Sequence, residues 1–398
     1  MIRDMMLNII ASMMPIALLQ LVIYPIAART IGGNEYGLMI TIYSAWNMIS
    51  NSLGNVLNSM RLLYFNKYKD ENANGDFIAL YRKWNIVNAI LISSLIIFYC
   101  KELNWEHLIL GVICSIFILT KAYTEVYFRL ILDYKSIVLN SILHSIGFLF
   151  GLFCLKYTGI WELIFIFGYL FSCAFCIIKS KPFEGGEKKT NHYGKLNKDV
   201  NKLTIATVIG TMMDYADKLV LYPLMGGTTV SIYYTATTLG RMVGLLTGPI
   251  NSVILSYIVR LKQNPKALVV RVLIVGVILC IIGYIVTLII SDPIIKLLFP
   301  QWIDSVLLYI PVTTINVLLL VLVSIISPFV LKFCDLNWQI ILNCISVLVY
   351  FCSALLLWRE FGLMGYCVGA IIGTLTKLVI MITLYLLSQS DNKNCDSK

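Results

Sequence analysis

Long apolar runs separated by short polar connections set the pattern of this chain. They fall at about residues 5–28, 36–60, 84–100, 107–128, 136–155, 160–178, 203–225, 230–259, 268–291, 306–330, 337–358 and 363–388. A helix needs about 20 apolar residues to cross roughly 30 Å of hydrocarbon, so the pattern predicts twelve transmembrane helices. Connections are short except at 61–83 and 179–202. The second of these carries Lys181-Pro-Phe-Glu-Gly-Gly-Glu-Lys-Lys189, whose Gly-Gly and lysines suit a flexible linker. The predicted organisation is a six-helix bundle over 1–180, a cytoplasmic linker over 181–202, a second six-helix bundle over 203–389 and a cytoplasmic tail over 390–398.

Composition agrees with a polytopic membrane protein. Of 398 residues, 59% are apolar and 13% charged, with a mean hydropathy of +0.83, against roughly 45–50% and 25% in soluble domains. The first run, Met5–Ala28, is too long for a signal-peptide core and is expected to stay as the first helix. The net charge of +10 would suggest nucleic acid in a soluble protein, but its distribution points elsewhere. Among loop Lys and Arg, only Arg29, Lys101, Lys156, Lys296 and Arg359 fall on one side of the predicted membrane, and all the others fall on the side of the termini. Both termini are therefore expected in the cytoplasm, with the positive charge serving topology and attraction to anionic membrane lipids, not nucleic acid. The 11 cysteines are scattered through apolar runs, Cys173-x-x-Cys176 included, and make no disulfide framework. His107, His144 and His192 are too few and too dispersed for a metal centre and are expected to serve packing.

The two halves look related. Gly33-Asn-Glu-Tyr36-Gly37 after the first segment has a counterpart in Gly227-Thr-Thr-Val-Ser-Ile-Tyr233 after the seventh. Leu155-Lys-Tyr-Thr-Gly159-Ile160 before the sixth matches Trp358-Arg-Glu-Phe-Gly362-Leu363 before the twelfth. Six helices per half give both halves the same sense, so the repeat is parallel, with a transport site expected at a central cavity between the bundles. Pro15 and Pro25 in the first segment and Pro223 in the seventh mark these two helices as the ones expected to bend.

Charges inside apolar segments cost roughly 2.5–3.5 kcal/mol each on insertion scales, so they are expected to face protein or water. The seventh segment carries Asp214, Asp217 and Lys218 on one helical face, with the i, i+4 spacing favouring a pair between Asp214 and Lys218. Lys121, Glu125 and Arg129 form a stripe in the fourth segment, where Lys121 and Glu125 are also spaced to pair. Arg241 and Lys377 have no acidic residue within a helical turn in sequence and are expected to line a cavity that takes an anion. Tyr215, Tyr222, Tyr233 and Tyr234, with Thr235, Thr237 and Thr238, offer a sugar-facing surface or, for Tyr233 and Tyr234, an interfacial belt. The motifs G-x-S-x-G, H-E-x-x-H and Walker A are absent, so the chain is expected to be a transporter that does not use ATP directly, and not an enzyme.

These features bear a resemblance. Arg29-Thr-Ile-Gly32-Gly-Asn-Glu-Tyr36-Gly37, Asp217-Lys218, the stretch Gly227–Ala236, Leu297-Leu-Phe-Pro300 and Gly362-Leu-Met-Gly365-Tyr-Cys-Val-Gly369-Ala, set in a six-plus-six layout, resemble the O-antigen flippases. Those are polysaccharide exporters of the multidrug/oligosaccharidyl-lipid/polysaccharide (MOP) superfamily. The resemblance implies a multi-pass protein of a bacterial inner membrane that moves an undecaprenyl-diphosphate-linked oligosaccharide to the outer leaflet by alternating access, for lipopolysaccharide or capsule synthesis. It implies substrate attraction by Arg29, Lys218 and Arg241, with Lys121 and Lys377 in support. Asp217, Asp214 and Glu125 would balance charge or couple to a proton or sodium gradient, and no cofactor is implied. Partners would be a glycan polymerase and its chain-length machinery. Pro300 departs from the glycine that relatives often carry there. The main alternative is a drug exporter of the same superfamily; a glycan polymerase would need a large outer loop that the segment pattern leaves out.

Overall fold

The structure is a computed structural model that describes residues 2–68, 74–100, 104–183, 189–245, 266–333 and 336–395. Helices occupy nearly all of these residues. They are α1 (Ile2–Leu18), α2 (Tyr24–Trp46), α3 (Ser52–Tyr64), α4 (Asn74–Tyr99), α5 (Trp105–Thr124), α6 (Val126–Leu130), α7 (Tyr134–Thr158) and α8 (Glu162–Ser180). After these come α9 (Tyr193–Met225), α10 (Gly227–Leu245), α11 (Lys266–Leu298), α12 (Ile303–Phe333) and α13 (Leu336–Cys395). Each predicted segment is helical over nearly all of its described length, and the part of the eighth beyond Leu245 lies outside the described residues.

The fold is all-α and built for a bilayer. Among the described residues, seven helical stretches are long and apolar enough to cross a membrane. On α11, Ile274, Ile278, Ile281, Ile285 and Ile289 are all exposed. Each such side chain left in water forgoes about 1.5–3 kcal/mol, so a row of them is stable only against hydrocarbon.

Two wider, π-type turns interrupt the first long run, at Leu19–Ile23 and Asn47–Asn51. The first ends just before Pro25, which has no N–H to donate and whose ring excludes the carbonyl one turn back. The bend expected at this proline is thus absorbed as a widened turn.

By its contacts the chain divides into two compact units, Met1–Ser231 and Ile232–Lys398. In the first unit, α7 and α8 form an antiparallel hairpin whose backbones nearly touch. A Cβ on Gly147 would lie 2.4 Å from the Phe167 carbonyl oxygen, and one on Gly151 would lie 2.4 Å from that of Leu163. Aromatic rings fill the space beside the hairpin, with Tyr43 stacked on Phe165 at 4.7 Å and Trp46 edge-on to it at 5.5 Å. In the second unit, α11, α12 and α13 close around Leu322, Ile326, Phe329, Leu378, Met381 and Tyr385.

Helix α9 starts ten residues before the apolar segment that predicts it. Leu196 and Val200, one turn apart, are fully buried and anchor this extra stretch in the first unit. Polar contacts reinforce the anchor. Thr190 donates to buried Asp76 from its backbone N at 2.8 Å and its Oγ1 at 2.6 Å, and Tyr68 donates to the same carboxylate at 2.8 Å. Lys83 Nζ donates to Asn197 at 2.9 Å and Asn201 at 3.0 Å, and Tyr64 donates to Asp199 at 2.5 Å. Residues 189–202 are therefore held on the 61–83 connection, where the sequence alone suggests a flexible linker.

The first of the duplicated motifs carries matching backbone in both halves. Gly32 adopts φ 80°, ψ 172° and Gly226 adopts φ 79°, ψ 173°, a conformation that side chains with a Cβ disfavour. Gly159 and Gly362, the other matched pair, are the remaining glycines with positive φ among the described residues.

Candidate functional site

The charged face of α9 is organised around Lys218. Its side chain is 3% exposed, and its Nζ lies 2.6 Å from Asp217 Oδ1 and 3.1 Å from the Asp214 carbonyl oxygen. The Asp217 carboxylate also accepts from the Lys218 backbone N at 2.9 Å. Sequence spacing assigns the Lys218 pair to Asp214; the structure gives it to Asp217, and Asp214 supplies a backbone oxygen while its residue is exposed. A buried ammonium costs several kcal/mol to desolvate unless its protons are all directed at oxygens, and here two partners and the Tyr215 ring, 5.6 Å away, surround it. Two turns before Lys218, Thr211 Oγ1 meets Ser52 Oγ at 3.3 Å, which ties this part of α9 to the end of the wide turn Asn47–Asn51.

The remaining predicted residues occupy distinct places. Lys121 and Glu125 form the expected i, i+4 ion pair, at 3.1 Å and half-buried, within the first unit. Arg29 is exposed on α2, just before the break at Gly32. In the second unit, the Arg241 guanidinium carbon lies 4.7 Å from the centre of the Tyr234 ring on the same helix, and Lys377 is half-buried on α13. Thr235, Thr237 and Thr238 are buried rather than presented as a surface; Thr237 and Thr238 donate back to the Tyr234 carbonyl at 2.9 Å each. Tyr233 and Tyr234 are buried too, which removes them from an interfacial belt.

Sequence reasoning misses a cavity of about 450 Å³ in the first unit. It lies where the start of the chain after Gly32, the end of α4, the start of α5 and the end of α9 meet, and it is lined by Asn34, Glu35, Tyr99, Asn104, His107 and Tyr222 among others. His107 is placed from behind: its Nδ1 is bonded to the carboxylate of fully buried Glu162, the first residue of α8, and its ring stacks on Trp161 at 5.8 Å. Asn104 caps α5 by accepting from the Glu106 backbone N at 3.0 Å. Tyr99 donates to the Leu219 carbonyl oxygen at 2.8 Å, which fixes it against Tyr222, ring to ring at 5.7 Å. The one available sequence signal was a pair of acidic or histidine side chains, His107 and Glu162, each at the start of an apolar segment on the same side of the predicted membrane.

The whole chain superposes on solved transporters. An inward-facing multidrug resistance MATE family transporter of the MOP superfamily matches with a TM-score of 0.71 at 14% identity, covering 98% of this chain and 99% of the other. The lipid II flippase MurJ, in an inward closed conformation, matches with a TM-score of 0.70 at 15% identity, covering 96% and 91%. A MATE in its straight conformation matches with a TM-score of 0.64 at 12% identity, covering 100% and 96%. The chain shares the fold of these solved structures. No protein-family model and no curated protein sequence matches it. The shared fold is thus carried by a sequence with little identity to either kind of neighbour, and residue roles rest on the local chemistry of this chain.

Proposed function

We propose that this protein is a flippase that moves an undecaprenyl-diphosphate-linked oligosaccharide from the inner to the outer leaflet of a bacterial cytoplasmic membrane. The observation that carries the reading is the Lys218–Asp217 pair, with Lys218 buried, in the apolar segment 203–225 that forms the later part of α9. A diphosphate offers oxygens of the same kind as the Asp217 carboxylate and more charge, so it can take over Lys218 and release Asp217. The released carboxylate then accepts a proton or a sodium ion, which links substrate binding to an ion gradient. Arg241, oriented by Tyr234, and Arg29 and Lys377 serve as further anion contacts, and the Lys121–Glu125 pair balances charge in the first unit. The likeness to the lipid II flippase MurJ supports a lipid-linked cargo.

A second reading, export of small organic cations, draws on the likeness to multidrug resistance MATE transporters and on the acidic groups Glu35, Asp214 and Asp217. Deleting the protein separates the two. Lipid-linked repeat units should accumulate on the cytoplasmic side, and sensitivity to cationic drugs should stay unchanged. Normal surface glycan in a strain without a second flippase would overturn the flippase reading.

A further inference from the structure

The cavity between α2, α4, α5 and α9 has a chemistry unlike that of the Lys218 site. Among its described lining residues, the side chains that can engage a ligand are Asn34, Glu35, Asn104 and His107, with Tyr99 and Tyr222 as aromatic walls. Lys101 lies outside the described residues. Helices α4 and α9 both start near the Asp76–Thr190 contact and run to the cavity at their other ends, so it lies at the opposite end of the unit from the lysine-rich linker. On the predicted topology that end faces outward.

We propose that this cavity is a carbohydrate subsite, which receives sugar residues of the cargo at the outer end of the pathway; this rests on the flippase reading. Neighbouring sugar hydroxyls present donors and acceptors side by side. The Glu35 carboxylate accepts, and the Asn34 amide both donates and accepts. His107 has its Nδ1 committed to Glu162, which leaves Nε2 for a ligand in the cavity. That buried carboxylate and the stacked Trp161 hold the imidazole in place, so little ordering is needed on binding. A tyrosine ring offers an apolar face to the C–H side of a pyranose, and Tyr99 is already fixed through its hydroxyl. At about 450 Å³ the cavity is within the range of small-molecule sites. The Glu35 carboxylate in the lining disfavours a diphosphate here, so the site takes the glycan end of the cargo and leaves the phosphates to basic residues elsewhere.

The test uses purified full-length protein and the free oligosaccharide released by mild acid from the lipid-linked pool of the producing cells. Binding is followed by tryptophan fluorescence, with Trp161 as the reporter beside His107. The wild type should bind the oligosaccharide, Glu35→Gln and Asn104→Ala should each weaken it at least fivefold, and inorganic diphosphate should not compete. Asn34→Ala, on the exposed rim, serves where either of those variants fails to fold. Unchanged binding in the variants, competition by diphosphate, or binding of tetraphenylphosphonium in place of the oligosaccharide would each overturn the subsite. Loss of glycan export on deletion is scored separately: export that depends on the protein while the cavity variants bind normally removes the subsite alone, and export that does not depend on it removes the flippase reading.

Discussion

Gly37 and Gly227 meet backbone to backbone: a Cβ on Gly37 would lie 1.9 Å from the Gly227 carbonyl oxygen. The contact has a mirror. Ser231 Oγ donates to the Gly33 carbonyl oxygen at 2.5 Å, and each residue of the first contact is 194 positions from its counterpart in the second. The matched turns at Gly32 and Gly226 thus start two helices that cross at close range about a local two-fold relation, the structural trace of the duplicated sequence. This crossing borders the cavity through Asn34 and Gly227.

Substitution at the crossing is expected to be costly. Gly37→Ala or Gly227→Ala places a methyl group against backbone that has no side chain to move aside, the second at 2.2 Å from the Asn34 carbonyl oxygen. Overpacking of this kind costs about 1–3 kcal/mol. A lower Tm of the purified variants is the expected result. Gly194→Ala is the control, because nothing lies within 4 Å of its added Cβ and it sits in the first turn of α9, so its Tm should be equal or higher.

Much of this arrangement is legible in the sequence, and the remainder fails for identifiable reasons. Apolar length finds the helices because lipid leaves the backbone no partner but itself. The glycine motifs find the two turns because positive φ demands the same residue in both halves. The i, i+4 rule finds Lys121–Glu125, whose side chains meet at 3.1 Å across one helical turn. It fails at Lys218, because Asp217 turns back onto the Lys218 amide and brings its carboxylate to a neighbour that ordinary helix geometry points away from it. His107–Glu162 and Asp76–Thr190 join residues far apart in sequence, and no periodicity records such contacts. The docked start of α9 shows only two buried apolar positions, too few to stand out among lysines.

Asp133 gives a pH-dependent contribution outside the membrane-spanning helices. It caps α7 by accepting from Ser136 N at 3.1 Å and Ser136 Oγ at 2.6 Å, and these bonds hold its carboxyl below the usual aspartate range. A lowered folded-state pKa stabilises the fold above the unfolded value of about 3.9, and the contribution is lost as pH falls through the folded value. Asp133→Ala should cost about 1 kcal/mol near neutral pH. Measured by thermal unfolding against pH, the gap between variant and wild type should be constant above about pH 5 and close in stronger acid.

The Asp76 contact should govern access to the linker. Asp76→Ala removes the acceptor shared by Tyr68 and Thr190 and leaves the buried Tyr68 hydroxyl and the half-buried Thr190 donors without it, a loss of about 1–3 kcal/mol. Local opening of residues 189–202 then becomes easier without global unfolding. Limited trypsin digestion should cut faster after Lys189 and Lys195 in the variant, with fragments identified by mass. Equal cutting rates would mean that Leu196 and Val200 hold the segment without the polar contact.

Lys218 and Asp217 separate structural from transport roles. Lys218→Met removes the ammonium and leaves Asp217, 14% exposed, facing a site with no counter-charge from that position. Breaking a buried pair on one side costs about 3–5 kcal/mol, whereas replacing both charges is often close to neutral. Lys218→Met should therefore lower the Tm, and the double variant Asp217→Asn with Lys218→Met should recover most of that loss. If the pair serves only to join helices, the double variant exports glycan as the wild type does. If Lys218 takes the diphosphate, as we propose, the double variant is stable, reaches the membrane and exports nothing, and lipid-linked repeat units build up inside.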